Sequence, residues 1–314
     1  MGEAPGVVYW PQTISPEARQ ELSRRAAVKP RLPGERPAVG QLRESAAAVQ
    51  KSVAARQLRH YPVDIADGAI AGVPVKVFTP PGMADADTKR VLINLHGGGF
   101  TVDSGSLSEN IPIAYLTEAK VIAVLYPLAP EHRFPAAVDA AVAVYAEILK
   151  THRPADIVLY GTSAGAILAG EVVVRLKTMR MPMPAALGFF SGTADLSRQG
   201  FSESDPSMPE DGQTLTRVLV QYAGGHDLSD PILSPLFADL HGLPPTLLIT
   251  GTRDLLLSQT TIFHRALLKA GVPAELVVFE AMPHAHWSYL DIPESTEAFE
   301  TMAGFFTRHL NQEG

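Results

Sequence analysis

From about residue 90 onward, short apolar runs rich in β-branched residues alternate with longer stretches of helical spacing. Runs at 91–95, 121–126, 157–160, 185–190, 246–250 and 275–279 are short and almost continuously apolar, as strands buried on both faces are. Helices are expected near 107–118, 135–150, 164–178, 259–270 and 293–310. Such a strand and helix rhythm predicts an α/β fold, a mostly parallel sheet with helices on both faces. Ahead of it, 61–65 and 73–80 read as an antiparallel pair at the sheet edge, joined around Ala66 to Gly72. Earlier still, 15–29 and 40–58 have helical spacing, and Pro30, Pro33, Gly34 and Pro37 break them into two helices. No strand signal precedes residue 61, so this segment is expected to lie over something built later in the chain. One long irregular region, 197–231, carries Gly200, Pro206, Pro209, Gly212, Gly224 and Gly225, and interrupts the rhythm beside the sheet's carboxyl edge.

Composition narrows the partners. At 314 residues, with 46% hydrophobic and 19% charged residues, the chain has the material for one large α/β domain or two small ones. Its 26 basic and 33 acidic residues give a net charge of −7, with no Lys/Arg block, which argues against a nucleic acid or an anionic membrane and for a small molecule. The absence of cysteine excludes a disulfide framework, a thiol nucleophile and a thiolate metal site, and suits a cytoplasmic protein. The start, Met-Gly-Glu-Ala-Pro-Gly, lacks a secretory pattern and no stretch approaches 18 apolar residues, so a soluble, unsecreted protein is expected.

The chemistry gathers at the ends of the predicted strands. Gly161-Thr162-Ser163-Ala164-Gly165 follows one strand and opens a helix. A serine at such a bend needs a tight turn that flanking Cβ atoms would crowd, which the two glycines permit. The bend lifts the hydroxyl toward solvent and aims the first helix amides, Ala164 foremost, at an oxygen near it. After residue 95 comes His96-Gly97-Gly98-Gly99, a run that bares backbone N–H groups at a strand's carboxyl end, where open α/β sheets bind ligands. Gly98 and Gly99 are therefore further candidate oxyanion donors. A phosphate loop is the competing reading, but no Gly-Lys-Ser/Thr and no G-x-G-x-x-G is present. Two more strands end in Gly251-Thr252-Arg253-Asp254 and in Pro283-His284-Ala285-His286. In a parallel sheet these loops share an edge with Ser163, so Asp254 and His284 are the candidate acid and base of a triad. Asp254 as a mere helix cap, Asp195 as the acid and His286 as the base stand as rivals. A metal site at His284 and His286 lacks H-E-x-x-H or H-x-x-E-H spacing.

Together these residues resemble the bacterial hormone-sensitive lipase family of esterases, in its Gly-Thr-Ser-Ala-Gly form, over about residues 60–310. The matching motifs are His96 to Gly99, Gly161 to Gly165, Leu128-Ala129-Pro130-Glu131-His132 with Phe134 to Ala137, Asp230 to Leu236, and Met282-Pro283-His284. The resemblance implies an α/β-hydrolase fold with an eight-stranded, mostly parallel sheet and a helical cap. Cap segments would be residues 1 to about 55 and about 197 to 228, with the catalytic domain over 56–314. It also implies a carboxylesterase acting through an acyl-enzyme on small, short-chain acyl esters, without a cofactor, and it favours His284 over His286. A homodimer through 275–279 and 293–310 is a further implication. A lactone hydrolase, an acetyl-ester deacetylase, an amidase and a non-catalytic receptor share the scaffold; the receptors that resemble this family lack the catalytic histidine, whereas His284 is present. Departures from the family pattern at Leu125, Pro127, Ser258, Ala281 and Ala285 bear on the hydrogen bonds around the site and on the pocket's shape.

Overall fold

Eight strands form one sheet: β1 (Asp64–Ile70), β2 (Val73–Thr79), β3 (Val91–Leu95), β4 (Lys120–Val124), β5 (Ile157–Thr162), β6 (Ala186–Phe190), β7 (Thr246–Arg253) and β8 (Ala274–Pro283). They lie in the order β1-β2-β4-β3-β5-β6-β7-β8. Only the β1–β2 and β2–β4 pairs are antiparallel; every other pair is parallel. The computed structural model describes residues 10–27, 37–83, 89–204 and 212–310. Pro30, Pro33 and Gly34 of the expected elbow fall outside these.

The central strands alternate between two cores, as the two-residue period of a strand requires. Ile93, Leu95 and Leu159 face one layer, with Val138, Tyr145, Ile167, Val172 and Phe263 of the helices α4 (Ala136–Ile148), α5 (Ala164–Thr178) and α8 (Leu257–Lys269). Leu92, Val158 and Tyr160 face the other, against Ile111, Phe299, Met302 and Phe306 of α3 (Asn110–Thr117) and α9 (Pro293–Leu310). Both faces being covered is why these strands carry no polar alternation.

The two N-terminal helices, α1 (Pro16–Ala26) and α2 (Val39–Gln57), pack outside this frame. Ser15 caps α1, accepting from the Ala18 amide at 3.0 Å, and ties it to α9 through its own amide and hydroxyl on Glu294, at 2.6 and 2.9 Å. From α2, the Arg43 guanidinium donates to the carbonyls of Thr101 and Ala129 and pairs with Glu131. Gln50 donates to the Asp103 carbonyl at 2.9 Å and accepts from the Leu107 amide at 2.8 Å. Both side chains brace the glycine loop that follows β3. Among the described residues, no helix is long and apolar enough to cross a membrane.

Two expectations need correction. The first strand runs over Asp64–Ile70, not 61–65, and its turn is only Ala71-Gly72, both with positive φ (51° and 79°). Two such residues make the tight turn whose twist matches a hairpin. Being an edge strand with mostly exposed side chains, β1 has no apolar signature to read. The region 197–231 is likewise not irregular throughout: it contains the short α6 (Phe201–Ser204) and the longer α7 (Gly212–Ala223). In α7 Leu219, Tyr222 and Ala223 are buried at helical spacing, a pattern masked by the surrounding glycines and prolines.

Candidate active site

The bend between β5 and α5 places Ser163 at φ 58°, ψ −121°, a left-handed conformation costly for a residue with a Cβ. Its neighbours make the bend possible. A Cβ on Gly165 would come within 1.8 Å of the Leu95 carbonyl oxygen, and one on Gly161 within 2.2 Å of the Gly165 carbonyl oxygen. No other residue fits at either position. The Ser163 amide donates to the Phe190 carbonyl at 2.8 Å, which anchors the bend to the end of β6.

Two loops meet Ser163 from across the sheet. Asp254, one residue beyond β7, is fully buried; its Oδ1 accepts from the Leu256 amide at 2.9 Å and its Oδ2 from the Thr250 hydroxyl at 2.8 Å. His284 Nδ1 lies 2.8 Å from Asp254 Oδ1, and His284 Nε2 lies 2.9 Å from Ser163 Oγ. An ionised carboxylate only accepts, so Nδ1 carries the imidazole proton and Nε2 is left to accept from the serine hydroxyl. Burial pushes the Asp254 carboxyl up, but the charge and hydrogen bond of His284, the Ser191 hydroxyl and the Leu256 amide outweigh it and hold it below the usual range. Asp254 is thus a charge at any pH near neutrality.

The rivals go elsewhere. Asp195 Oδ1 accepts from the amide and hydroxyl of Ser197, at 2.8 and 2.6 Å, closing a local turn. His286 is buried against Phe279 and Trp287, with Nε2 3.4 Å from the Glu294 carbonyl oxygen, and burial depresses it to about 4. Asp254 does cap the turn after β7 through Leu256, yet the same oxygen holds His284, so the two roles coexist. Among the described residues, no cluster of three or more His, Asp or Glu side chains is arranged to hold a metal.

The loop 96–109 faces Ser163 from β3. Gly98 has φ 113°, and a Cβ there would come within 2.1 Å of the Val102 carbonyl oxygen, so only glycine closes this turn. Among the described residues, the amides of Gly98, Gly99 and Ala164 donate to no loop carbonyl and no side chain. Tyr126 holds the loop from below, its hydroxyl on the His96 carbonyl at 2.6 Å and its ring stacked on the His96 ring at 4.1 Å. Phe100 stacks on Tyr222 of α7, with ring centroids 3.5 Å apart.

A cavity of about 460 Å³ opens over Ser163 and His284. Its walls include Arg25 of α1, Val49 and Gln50 of α2, and Ser108, Glu109 and Tyr289. Sequence spacing did not reveal these residues, because they come from helices and loops remote from any motif. The departures also find their places. Ser258 and Ser202 exchange amide-to-hydroxyl bonds at 3.0 and 2.9 Å, joining α6 to α8. Ala281 and Ala285 have φ of 59° and 49°, the left-handed region in which a glycine would carry no strain.

A serine on a strand-to-helix bend, an acid and a histidine from later strand ends, and a glycine loop before them define a hydrolase of the α/β-hydrolase fold, and the family model of that name and fold matches residues 92–288. The chain is 36% identical to an acetyl-hydrolase of Streptomyces hygroscopicus over 232 residues, 72% of this chain and 77% of that protein. It is 34% identical to an esterase of Acinetobacter venetianus over 240 residues, 71% and 77% of the two chains. A solved esterase superposes with a TM-score of 0.83 at 31% identity, covering 99% of each chain. A crystal structure of an esterase from the bacterial hormone-sensitive lipase family gives 0.80 at 28% identity, covering 95% of this chain and 99% of that one. The chain belongs to the hormone-sensitive lipase family of α/β-hydrolases and is an ester hydrolase.

Proposed function

We propose that Ser163, His284 and Asp254 hydrolyse small, short-chain acyl esters through an acyl-enzyme, with the amides of Gly98, Gly99 and Ala164 holding the oxyanion. The observation that supports this most is the continuous line of hydrogen bonds from Asp254 Oδ1 through His284 to Ser163 Oγ, 2.8 and 2.9 Å long. Ser163 Oγ attacks the ester carbonyl carbon while His284 Nε2 takes its proton, and the buried Asp254 charge stabilises the imidazolium that forms. The negative charge on the former carbonyl oxygen is met by the three amides. Collapse expels the alcohol, which leaves with the proton from His284. A water molecule then repeats the sequence on the acyl-enzyme and releases the acid. No cofactor enters.

A cavity of about 460 Å³ suits a small ester, and the acetyl-hydrolase among the relatives supports a short acyl group. We assign α1, α2 and the helices of the 197–228 segment to a cap over this cavity, and the free edge of β8 with α9 to a homodimer contact. Ser163→Ala should lower turnover of 4-nitrophenyl acetate by roughly four to six orders of magnitude with an unchanged circular dichroism spectrum. A folded variant that kept most of the activity would remove Ser163 from the reaction.

A further inference from the structure

The amides of Gly98 and Gly99, assigned above to the oxyanion, are aimed by the carbonyls that precede them. In a trans peptide the carbonyl of one residue points opposite to the amide of the next, so fixing the Gly97 carbonyl aims the Gly98 N–H, and fixing the Gly98 carbonyl aims the Gly99 N–H. The Gly97 carbonyl accepts from the Ser104 amide at 3.2 Å and lies 2.8 Å from His96 Nδ1. A carbonyl oxygen only accepts, so His96 Nδ1 carries the imidazole proton. The Gly98 carbonyl accepts from the amides of Thr101 and Val102, both at 3.1 Å. Three of these four donors are backbone amides of residues 101–104, and Asp103 sits among them.

Asp103 ties that stretch together. Its Oδ1 accepts from the amides of Gly105 and Ser106 at 3.2 and 2.9 Å and from Gln50 Nε2 of α2 at 3.2 Å, and its Oδ2 accepts from the Ser106 hydroxyl. Its carbonyl takes a further bond from Gln50 Nε2 at 2.9 Å. Oδ1 also lies 3.6 Å from His96 Nδ1, so a carboxylate there favours the tautomer that bonds Gly97. Burial pushes the Asp103 carboxyl up, but His96, the hydroxyl and amide of Ser106 and the Gly105 amide outweigh it and hold it below the usual range. Asp103 is not among the described residues that wall the catalytic cavity, so it acts on the reaction only through the loop.

We propose that Asp103 is a positioning residue for the oxyanion: by tying residues 101–106 to one another, to His96 and to α2, it keeps the Gly97 and Gly98 carbonyls turned away from the site and the Gly98 and Gly99 amides turned into it. A donor of this kind counts only when it is already in place, and a misplacement of about 1 Å costs about a hundredfold in rate. Because the negative charge on the carbonyl oxygen develops only toward the transition state, slackening these amides lowers kcat and spares the binding of the ester itself. Asp103 serves a reaction that other groups carry out, so the inference rests on the assignment of Ser163, His284 and Asp254 to ester hydrolysis and of the loop amides to the oxyanion.

The test follows 4-nitrophenyl acetate hydrolysis by the wild type, Asp103→Ala and Asp103→Asn, each titrated with the phosphate triester paraoxon so that kcat is expressed per working serine. Alongside it runs inhibition by a trifluoromethyl ketone, whose adduct with a serine places an oxyanion where the reaction does. Asp103→Ala should lose about tenfold to a hundredfold in kcat, keep KM within about twofold and bind the ketone more weakly by the same factor as kcat. A side chain that only stabilised the fold would reduce the titrated amount and leave kcat per site, KM and ketone affinity unchanged. Asp103→Asn keeps an Oδ1 for the amides of Gly105 and Ser106 but lacks the charge beside His96, so it should recover part of the lost kcat. If Asp103→Ala yields no titratable protein, Asp103→Asn decides alone, with an expected loss of about threefold or more in kcat at unchanged KM. A kcat per site within about twofold of the wild type in the deciding variant, or a loss confined to KM, would overturn the positioning role. A wild type that neither reacts with paraoxon nor turns over the ester would bring down the triad assignment, an outcome distinct from an active enzyme indifferent to position 103.

Discussion

His286 and His284 are two positions apart and have opposite fates. His284 reaches Ser163 and Asp254, whereas His286 is buried against Phe279 and Trp287 and lowered from 6.5 to about 4. Because the folded protein resists protonating His286 while the unfolded chain accepts the proton near 6.5, its neutral form contributes stability that is complete above about pH 6.5. That contribution is lost as pH falls toward 4, and about 3 kcal/mol is at stake by then. Urea unfolding measured at intervals from pH 7 to 4.5 should therefore show a shallower loss of stability in His286→Phe than in the wild type; equal slopes would contradict the assignment. Glu109 works with the other sign. Its carboxyl is raised from 4.5 to about 7, so its share of stability is present below 4.5 and is lost as pH rises through 7. The sequence made His284 the candidate base and left His286, two residues on, as its rival, and the family resemblance favoured His284 further. What separates them is the left-handed backbone at Ala285, which turns the chain between them.

At the scale of elements, the glycine loop after β3 is held by helices distant in the chain. Arg43 and Gln50 of α2 bond it from one side, and from the other α7 stacks Tyr222 on Phe100. Tyr222 also reaches through to α5, where its hydroxyl meets Oε2 of the fully buried Glu171 at 2.6 Å. Burial keeps that carboxyl well above the usual range, and Tyr222 supplies its hydrogen bond. Tyr222→Phe should cost about 1–3 kcal/mol in urea unfolding and make the α7 region more open to limited proteolysis, while a variant with wild-type behaviour in both would show that α7 is held by stacking alone. The strands and helices of the parallel sheet were legible because burial on both faces leaves an apolar run of the right length. The first strand and α7 were not. One is an edge strand with solvent on its side chains, and the other is a short amphipathic helix among glycines and prolines whose partners lie far off in the chain.

At the scale of the whole molecule, the sheet ends on β8, which pairs only with β7 among the described strands and exposes Val278 to 40%. An unpaired edge invites a second strand. If β8 and α9 form the homodimer contact proposed above, the wild type should sediment as a dimer and Val278→Asp as a monomer; a wild type that sediments as a monomer would remove the contact. The meeting of Ser163, Asp254 and His284 was readable from sequence because a parallel sheet brings all its carboxyl ends to one edge. The cavity walls were not, since they come from α1, α2 and the loops at 108 and 289. That division has a consequence for how the enzyme changes over generations. Around Ser163 the strand ends are wedged so tightly that a single methyl group on Gly165 would strike Leu95, so this part of the chain has almost no room to vary. Val49 is exposed and Tyr289 half-buried, both away from the strand ends, and a lineage selected for new diets, or a mutant library searched for new substrates, should gather its successes there and leave the glycines silent.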